Sequence, residues 1–421
     1  MRTGALEDYI RLALDLAGLV VLSQHVEDGR LIVHVAYVND VAICPHCGRP
    51  TNKIHDFRPQ RKRDIPLRGQ GVTLVVWRRR FRCLWCLGGC RRPRTFSEPD
   101  PACGVGPGGR ARRTTQRLRE QIGREPPHQT VKRVAEVYGV GQRFARECFA
   151  GRAEAAIAGA EPTGYTPRVL GMDEFSMKRG RRYETVFCDL EAPRVLEVVE
   201  GRDHEAVRPY LESLREPQQV AVVVIDMGCV HDGDMSETYR QVVMLCLPGA
   251  VIVADRFHVV RRVGKALDEV RRRLQGQERK GRRDRLYRLR YVLLAQPEDW
   301  TEKERLDVEA LFVAYPELET AWERKEEFRL WYESADRATA EVGLSQWEAA
   351  LHSDGMPEYL ALFAQGSLLG SWRQEVLNYF DHRYTNAYVE GKNNRIKQLQ
   401  RQAYGYRNRA NLRLRILLPV A

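Results

Sequence analysis

No stretch of the 421-residue chain approaches the ~18–20 uninterrupted apolar residues that a membrane-spanning helix needs. The opening MRTGALEDYIRLALDLAGLVVL carries acids where a secretory signal has a basic lead and a cleavage site. Both absences predict a chain that stays in the cytoplasm. Neither the composition of a disordered chain nor a collagen-like repeat is present; 43% apolar and 29% charged residues suit a folded protein of two or three domains. Acids are scarce in two places. Residues 49–94 hold 14 Lys or Arg against only Asp56 and Asp64, which accounts for the whole net charge of +12; residues 391–421 hold eight bases and no acid. Two separated cationic segments suit an extended polyanion, and nucleic acid is the commonest such partner. The expected location is therefore the cytoplasm, in association with the nucleoid.

Six of the ten cysteines lie between Cys44 and Cys103. Cys148, Cys188, Cys229 and Cys246 are scattered through apolar segments and read as small buried residues. The clustered ones form two knuckles, Cys44-Pro-His-Cys47 and, 35 residues on, Cys83-Leu-Trp-Cys86, with Cys90 close behind. Two Cys-x-x-Cys turns can converge four thiolates on one structural Zn²⁺, and the alternating VTLVVWRRRF between them has the texture of a ribbon strand. A thioredoxin-like redox pair would need one such motif within a βαβ pattern, which is missing. The fourth ligand is open: Cys90 can replace Cys86, and His46 or His55 can compete. Arg78, Arg79, Arg80 and Arg82 lie on or beside the ribbon strand, where alternate side chains face outward and can reach phosphates.

The Pro- and Gly-rich segment near residues 97–110 reads as a linker. Three helices are predicted beyond it, over 114–123, 130–138 and 142–150, with Gly139 ending the second. Small Ala135 four residues before that glycine lets two helices cross closely, as in a helix-turn-helix, and places Arg143 and Arg146 on the exposed face of a recognition helix.

From residue 168 onward strands and helices alternate. A strand ending at Asp173, two more over 183–190 and 194–199, a helix, the apolar strand VAVVVI ending at Asp226, a helix, and a strand ending at Asp255 give the order β-β-β-α-β-α-β of a ribonuclease H-like core. In that fold the first and fourth strands are neighbours, so Asp173 and Asp226 would meet at one edge. Two carboxylates there, and a third from a helix, can hold two Mg²⁺ ions for phosphodiester cleavage. Glu390, the only acid after Asp381, is the candidate for the third; Lys392, Arg395, Lys397 and Arg401 follow it at helical spacing, which suits either a metal site beside a phosphate backbone or a routine Glu–Lys pair on a helix. Asp232, Asp234 and Asp255 compete with Asp226, and Asp255 with His258 can instead orient the metal ligands. Between Asp226 and Glu390 lie 163 residues, helix-favouring and punctuated by Trp300, Trp322, Trp331, Trp347 and Trp372, which read as helix-packing core.

The blocks CPHCGRPT, DIPLRGQGVTLVVWRRRFRC, TVKRVAEVYGV, LGMDEFSMKRGRRYETVFCDLEAPRVLEVVEGRDHEAV, VAVVVIDM, VIVADRFHVVRRV and NAYVEGKNNRIKQLQRQAYGYRNRANLRLRIL together resemble, over nearly the whole chain, the ISL-three family of DDE transposases of bacterial insertion sequences. The resemblance implies a catalytic triad of Asp173, Asp226 and Glu390, with two Mg²⁺ ions and Mn²⁺ as a substitute. It also implies a zinc ribbon, a helix-turn-helix for terminal inverted repeats, and a helical insertion ahead of Glu390. The resulting layout is multidomain α/β: 1–97 with the zinc ribbon, 110–160 as helix-turn-helix, 165–258 as the first part of the ribonuclease H-like core, 259–370 as the insertion, and 371–421 as the second part. Partners are double-stranded DNA, at terminal repeats and target, and a second copy of the chain. Two departures stand out: three cysteines at the second knuckle, and MGCVHDGD after Asp226 in place of an aromatic and proline-containing turn. The rival readings are a domesticated DNA-binding regulator with an inactive core, and a recombinase using Tyr404 or Tyr406; the resemblance makes those tyrosines DNA or core contacts.

Overall fold

A computed structural model describes residues 16, 18–87, 93–104, 106, 112–126, 129–160, 165–178, 182–226, 235–276, 284–403, 406 and 408–418. It divides into two units, 1–156 and 157–421.

In the first unit, strands β1 (Leu19–Glu27) and β2 (Arg30–Tyr37) precede a small two-stranded knuckle of β3 (Ala42–Ile43) and β4 (Pro50–Thr51). A long hairpin of β5 (Ile54–Leu67) and β6 (Gln70–Leu87) follows, and β7 (Pro93–Ser97) returns along the end of β6. The sheet order is β1-β2-β6-β5. Arg68 and Gly69 close the hairpin, both with positive φ, the geometry that matches strand twist in a two-residue turn. Val33, Val35, Val72, Leu74 and Val76 form one core of this sheet; Ala42, Cys44, Phe81, Cys83 and Phe96 form a second at its far end. Both acids of the basic window are used structurally. Asp56 pairs with Arg80 at 3.3 Å, and buried Asp64 accepts from Thr115 Oγ1 at 2.6 Å and Arg117 Nε at 2.8 Å.

Those two contacts fasten helix α1 (Gln116–Arg124) to the hairpin. Helices α2 (Val131–Val137) and α3 (Gln142–Ala160) follow. Thr115 and Thr130 cap the first two with their hydroxyls. Leu118, Ile122, Val134, Ala135 and Ala145 make their shared core. A Cβ at Gly123 would lie 2.9 Å from the Cys148 carbonyl oxygen, so that glycine permits the close approach of α1 and α3. The third helix runs ten residues past its predicted end near 150, because the alanine-rich GRAEAAIAGA contains no helix breaker beyond glycine.

The second unit begins with β8 (Val169–Lys178), β9 (Arg182–Asp189) and β10 (Arg194–Glu200), then α4 (His204–Glu212), β11 (Val222–Ile225), α5 (Met235–Cys246), β12 (Val251–Ala254) and α6 (Arg256–Gln275). The sheet order is β10-β9-β8-β11-β12; the first three strands pair antiparallel, and β11 lies parallel between β8 and β12. The strand expected to end at Asp173 continues to Lys178. Strand β9 supplies ladder partners beyond the point where β11 stops, so Asp173 is a mid-strand residue.

The chain then builds α7 (Arg285–Arg288), α8 (Glu302–Ala314), α9 (Pro316–Trp331), α10 (Arg337–Asp354), α11 (Pro357–Leu360), α12 (Leu368–Ser371) and α13 (Arg373–His382). Their core is continuous with that of the sheet, running from Val169 and Leu170 through Val263 and Phe328 to Phe380. The tryptophans belong to it: Trp331, Trp347 and Trp372 are buried, and Trp300 and Trp322 pack ring against ring at 5.3 Å. Two last helices, α14 (Ala387–Gln402) and α15 (Arg409–Leu417), cover the opposite sheet face, where Val389, Ile396 and Ile416 meet Phe175, Val186, Cys188 and Val198. No helix among the described residues is long and apolar enough to cross a membrane.

Candidate active site

In the parallel register of β8 and β11, Ile225 pairs with Met172, so the next residues, Asp226 and Asp173, stand side by side on the α14 face. Asp173 is buried. Its Oδ1 accepts the Glu174 backbone N–H at 2.7 Å, and its Oδ2 accepts Asn393 Nδ2 at 2.6 Å. Burial foremost, then the neighbouring charge of Asp226, push its carboxyl up to about 7. Glu174 takes the other face of the strand, where it pairs with Arg202 at 2.8 Å.

Asp226 is gripped from one side only. His258 Nε2 lies 2.9 Å from its Oδ2, and His258 Nδ1 lies 2.9 Å from Asp255 Oδ2. Burial alone would depress this imidazole, but hydrogen bonds to the two carboxylates outweigh it and lift the ring to about 9, so both nitrogens donate at neutral pH. The other Asp226 oxygen, Oδ1, is buried and has no hydrogen-bond partner among the described residues. An anionic oxygen left so is costly unless a cation or donor completes it.

Glu390 stands in the first turn of α14 and is exposed. Asn386, four residues before it, and Asn393, three after, share its helical stripe, and both are buried against the aspartate strands. Asn386 Nδ2 donates to the Met172 carbonyl at 2.9 Å, and its backbone N–H donates to Asp255 Oδ1 at 2.9 Å. Glu390 thus sits between two amides that clamp its helix to β8 and to Asp255. Among the described residues the three acids do not converge as the four cysteines below do: Asp173 and Asp226 are adjacent, whereas exposed Glu390 stands on α14 three residues before Asn393, which bonds Asp173. The sequence reading overlooked Asn386 and Asn393. Their spacing of −4 and +3 around Glu390 was the signal that could have found them.

Gly171, two residues before Asp173, makes this docking feasible. A Cβ there would lie 2.8 Å from Leu190 Cδ2 and 2.9 Å from both Asn386 Oδ1 and Val389 Cγ2. Gly171→Val is therefore expected to destabilise the fold by about 1–3 kcal/mol through overpacking. Chemical denaturation should show a lower midpoint, and hydrogen exchange should rise selectively over residues 386–396.

Basic residues proposed for DNA separate into two groups. Arg79 is buried, with Nε and Nη2 on Glu98 Oε2 at 3.0 and 2.9 Å and Nη1 on Asp40 at 3.2 Å; it is committed to the sheet and is withdrawn as a phosphate contact. Arg80 is half-buried between Asp56 and Thr95, and Arg78 donates to the Glu98 carbonyl. Arg82, Arg143, Arg146 and Lys397 are exposed, Arg143 with a 2.8 Å pair to Glu147. Lys392 and Arg395 are half-buried, Lys392 lying 4.9 Å over the Tyr388 ring. Tyr406 packs under Arg415 at 5.7 Å. Cys90, Cys229, Asp232, Asp234 and Tyr404 lie outside the described residues.

In the first unit, Cys44, Cys47, Cys83 and Cys86 converge, their sulfurs all within 4.8 Å of one another. The Cys44–Cys86 and Cys47–Cys83 separations are 3.9 and 3.6 Å. A tetrahedron built from ~2.3 Å Zn–S bonds has edges of about 3.8 Å. Burial opposes ionisation of Cys44, yet the backbone N–H groups of His46 and Cys47 bring its thiol down to about 7. Cys86 is pushed up to about 12, chiefly by its bond with Cys47 and then by burial, which a bound cation would reverse. The donor set of Cys44, Cys47, Cys83 and Cys86 fits Zn²⁺. His46 is turned to Arg94 and His55 to Asp56.

Two family models and several curated relatives match the chain. A family model for transposases, that of the ISL3 (ISL-three) DDE group, matches residues 170–416, and one described as the zinc-finger of transposase IS204/IS1001/IS1096/IS1165 matches 40–86. The chain is 29% identical over 392 residues to the transposase for insertion sequence element IS1001 of Bordetella parapertussis, covering 92% of this chain and 90% of that one. It is 27% identical over 264 residues, 57% of each chain, to the transposase for insertion sequence element IS1557 of Mycobacterium tuberculosis. The first model takes in more than half of the sequence, both aspartates and Glu390, and the chain belongs to the ISL3 family of DDE transposases.

Proposed function

We propose that this transposase binds the terminal inverted repeats of its element through the zinc ribbon and a helix-turn-helix formed by α2 and α3, cleaves them at an Asp173–Asp226–Glu390 site, and directs the freed 3′-hydroxyl at target DNA. The observation that carries the reading is the Asp173–Asp226 pair, with Asp226 Oδ1 buried and unclaimed, beneath the helix that bears Glu390. The strand order supports a ribonuclease H-like core, since the first and fourth strands of the unit are neighbours.

Two Mg²⁺ ions held by the three acids, with Mn²⁺ as a substitute, would activate the attacking oxygen and stabilise the leaving one. The chain's own work is orientation. The Glu174 N–H and Asn393 fix both oxygens of Asp173, protonated His258 holds Asp226 by its Oδ2, and Asp255 holds His258 while anchoring the first turn of α14. Lys392, Arg395 and Lys397 follow Glu390 on its helix as cations for the DNA backbone. Joining two element ends calls for two copies of the chain, so a homodimer on DNA is the working assembly.

Purified protein with labelled element ends and Mg²⁺ should cut at the element boundary, and Glu390→Gln should cut at least ~10³-fold more slowly with unchanged end binding. Undiminished cleavage by that variant removes Glu390 from the site. Tight end binding without cleavage by the wild-type chain favours a domesticated regulator instead.

A further inference from the structure

A cavity of about 1160 Å³ lies beside α6, and none of the three acids is among the residues that line it. One wall is a single stripe of α6 from Phe257 to Gln275, about 27 Å long at 1.5 Å per residue. The facing wall comes from α7 and the turns after it, with Tyr287, Arg290, Tyr291 and Leu294, and α9 closes the floor. A Cβ on Gly264 would lie 3.2 Å from Leu294 Cδ2, so glycine there lets the walls approach.

Three features define what the cleft would hold. Among the described residues, seven Lys or Arg line it beside one carboxylate, Asp268, which Arg271 and Arg272 engage at 2.8 Å each; Lys325 and Arg329 pair with Glu326 behind the wall, and Arg261, Lys265 and Arg290 add to the positive lining. Large rings stand in water along it: Tyr291 is 68% exposed and Phe257 50%. The Arg290 guanidinium lies 4.1 Å from the ring centroids of both Tyr287 and Tyr291 and donates to the Tyr287 carbonyl, so a planar cation and two rings form a preset shelf without a carboxylate. One end of the cleft adjoins the candidate active site, because Phe257 meets the His258 ring edge-on at 5.3 Å and His258 holds Asp226.

We propose that this cleft binds a short stretch of unpaired DNA, its phosphates against the arginines of α6 and its bases stacked on Tyr291 and Phe257. The assignment rests on the DNA-cleaving reading above and extends it to a substrate state, a strand melted next to the cut. Exposed rings in a cationic trough are the hallmark of single-strand binding, where every base offers a stacking face. A duplex shows phosphates on its outside and gives such rings nothing to stack on.

Fluorescence anisotropy with a labelled 12-nucleotide oligo(dT), on the full-length protein, tests this. The single strand should bind more tightly than a 12-base-pair duplex of equal length. Tyr291→Ala and Phe257→Ala should each weaken it about 10-fold or more, while Tyr291→Phe retains wild-type affinity; Arg290→Ala should weaken binding and flatten its salt dependence. Both rings are solvent-exposed, so their truncation leaves the core intact, and unchanged zinc content and circular dichroism check this. Wild-type affinity in both alanine variants, or a wild-type chain preferring duplex, overturns the cleft assignment. End cleavage by the wild-type chain reports on the parent reading separately. Cleavage with unaltered oligonucleotide binding in the variants sinks the cleft alone, whereas ring-dependent binding by a chain that never cuts sinks the chemistry and keeps the cleft.

Discussion

Asp173→Asn should abolish cleavage of element ends while making the metal-free protein harder to unfold. The first half follows from the position of Asp173 in the pair it makes with Asp226. A neutral amide cannot share in holding divalent cations, and losing that electrostatic stabilisation at the transition state removes several kcal/mol, about 10³-fold or more in rate. The second half follows from burial and like charge. The Asp173 carboxyl is buried beside Asp226, an arrangement that opposes ionisation, and an amide of the same shape relieves it. Asn393 can turn its amide to keep the hydrogen bond, since its own Oδ1 is buried and unpartnered among the described residues. A gain of roughly 1–2 kcal/mol is expected in chelator, read as a melting temperature several degrees higher, and it should shrink when Mg²⁺ saturates the wild type. A residue of merely structural importance would lose both activity and stability. Reduced stability with residual cutting would therefore remove Asp173 from the site.

The double variant Cys44→Ser, Cys47→Ser should carry no zinc and lose the far end of the first sheet while the near end stays folded. Among the described residues, the core around the thiols consists of Ala42, Cys44, Phe81, Cys83 and Phe96 with Cys86 packed against them, too little to order the knuckle and strand end unaided. The valine-rich core of β2 and β6 shares no residue with it. Metal analysis should give one zinc per wild-type chain and none in the variant. Hydrogen exchange should rise over residues 40–51 and 81–97 and stay slow over 31–37 and 72–76. If the ribbon reads DNA, affinity for element ends should fall about 10–100-fold; unchanged affinity would assign reading to the helices instead.

How much of this was legible beforehand varies with the kind of signal. The clustered thiols were visible because a knuckle is local, whereas the turning of His46 to Arg94 was not, since that partner lies 48 residues away. The aspartates were visible because apolar runs such as VAVVVI end abruptly in an acid. The extension of β8 to Lys178 was not, since its partners Glu184 and Thr185 lie in another strand and EFSMK has no apolar run. Arg79 was misjudged for a similar reason. Alternation says that one arginine in RRRFR points inward but not which one, and the deciding partner, Glu98, is a tertiary contact. Asn386 and Asn393 were overlooked because an uncharged amide shows no chemistry until the carboxylate and carbonyls it spans are known.

The continuity of the hydrophobic core between the sheet and the inserted helices has a consequence for synthesis. Helix α14 follows β11 by some 160 residues and β8 by some 210, and docks on a sheet whose other face is sealed by those helices. A ribosome that has delivered both aspartates still has the proposed third acid to translate. On the proposed triad, nascent or stalled chains stopping within the helices would occupy DNA ends without nicking them, acting as dominant-negative competitors of the finished enzyme.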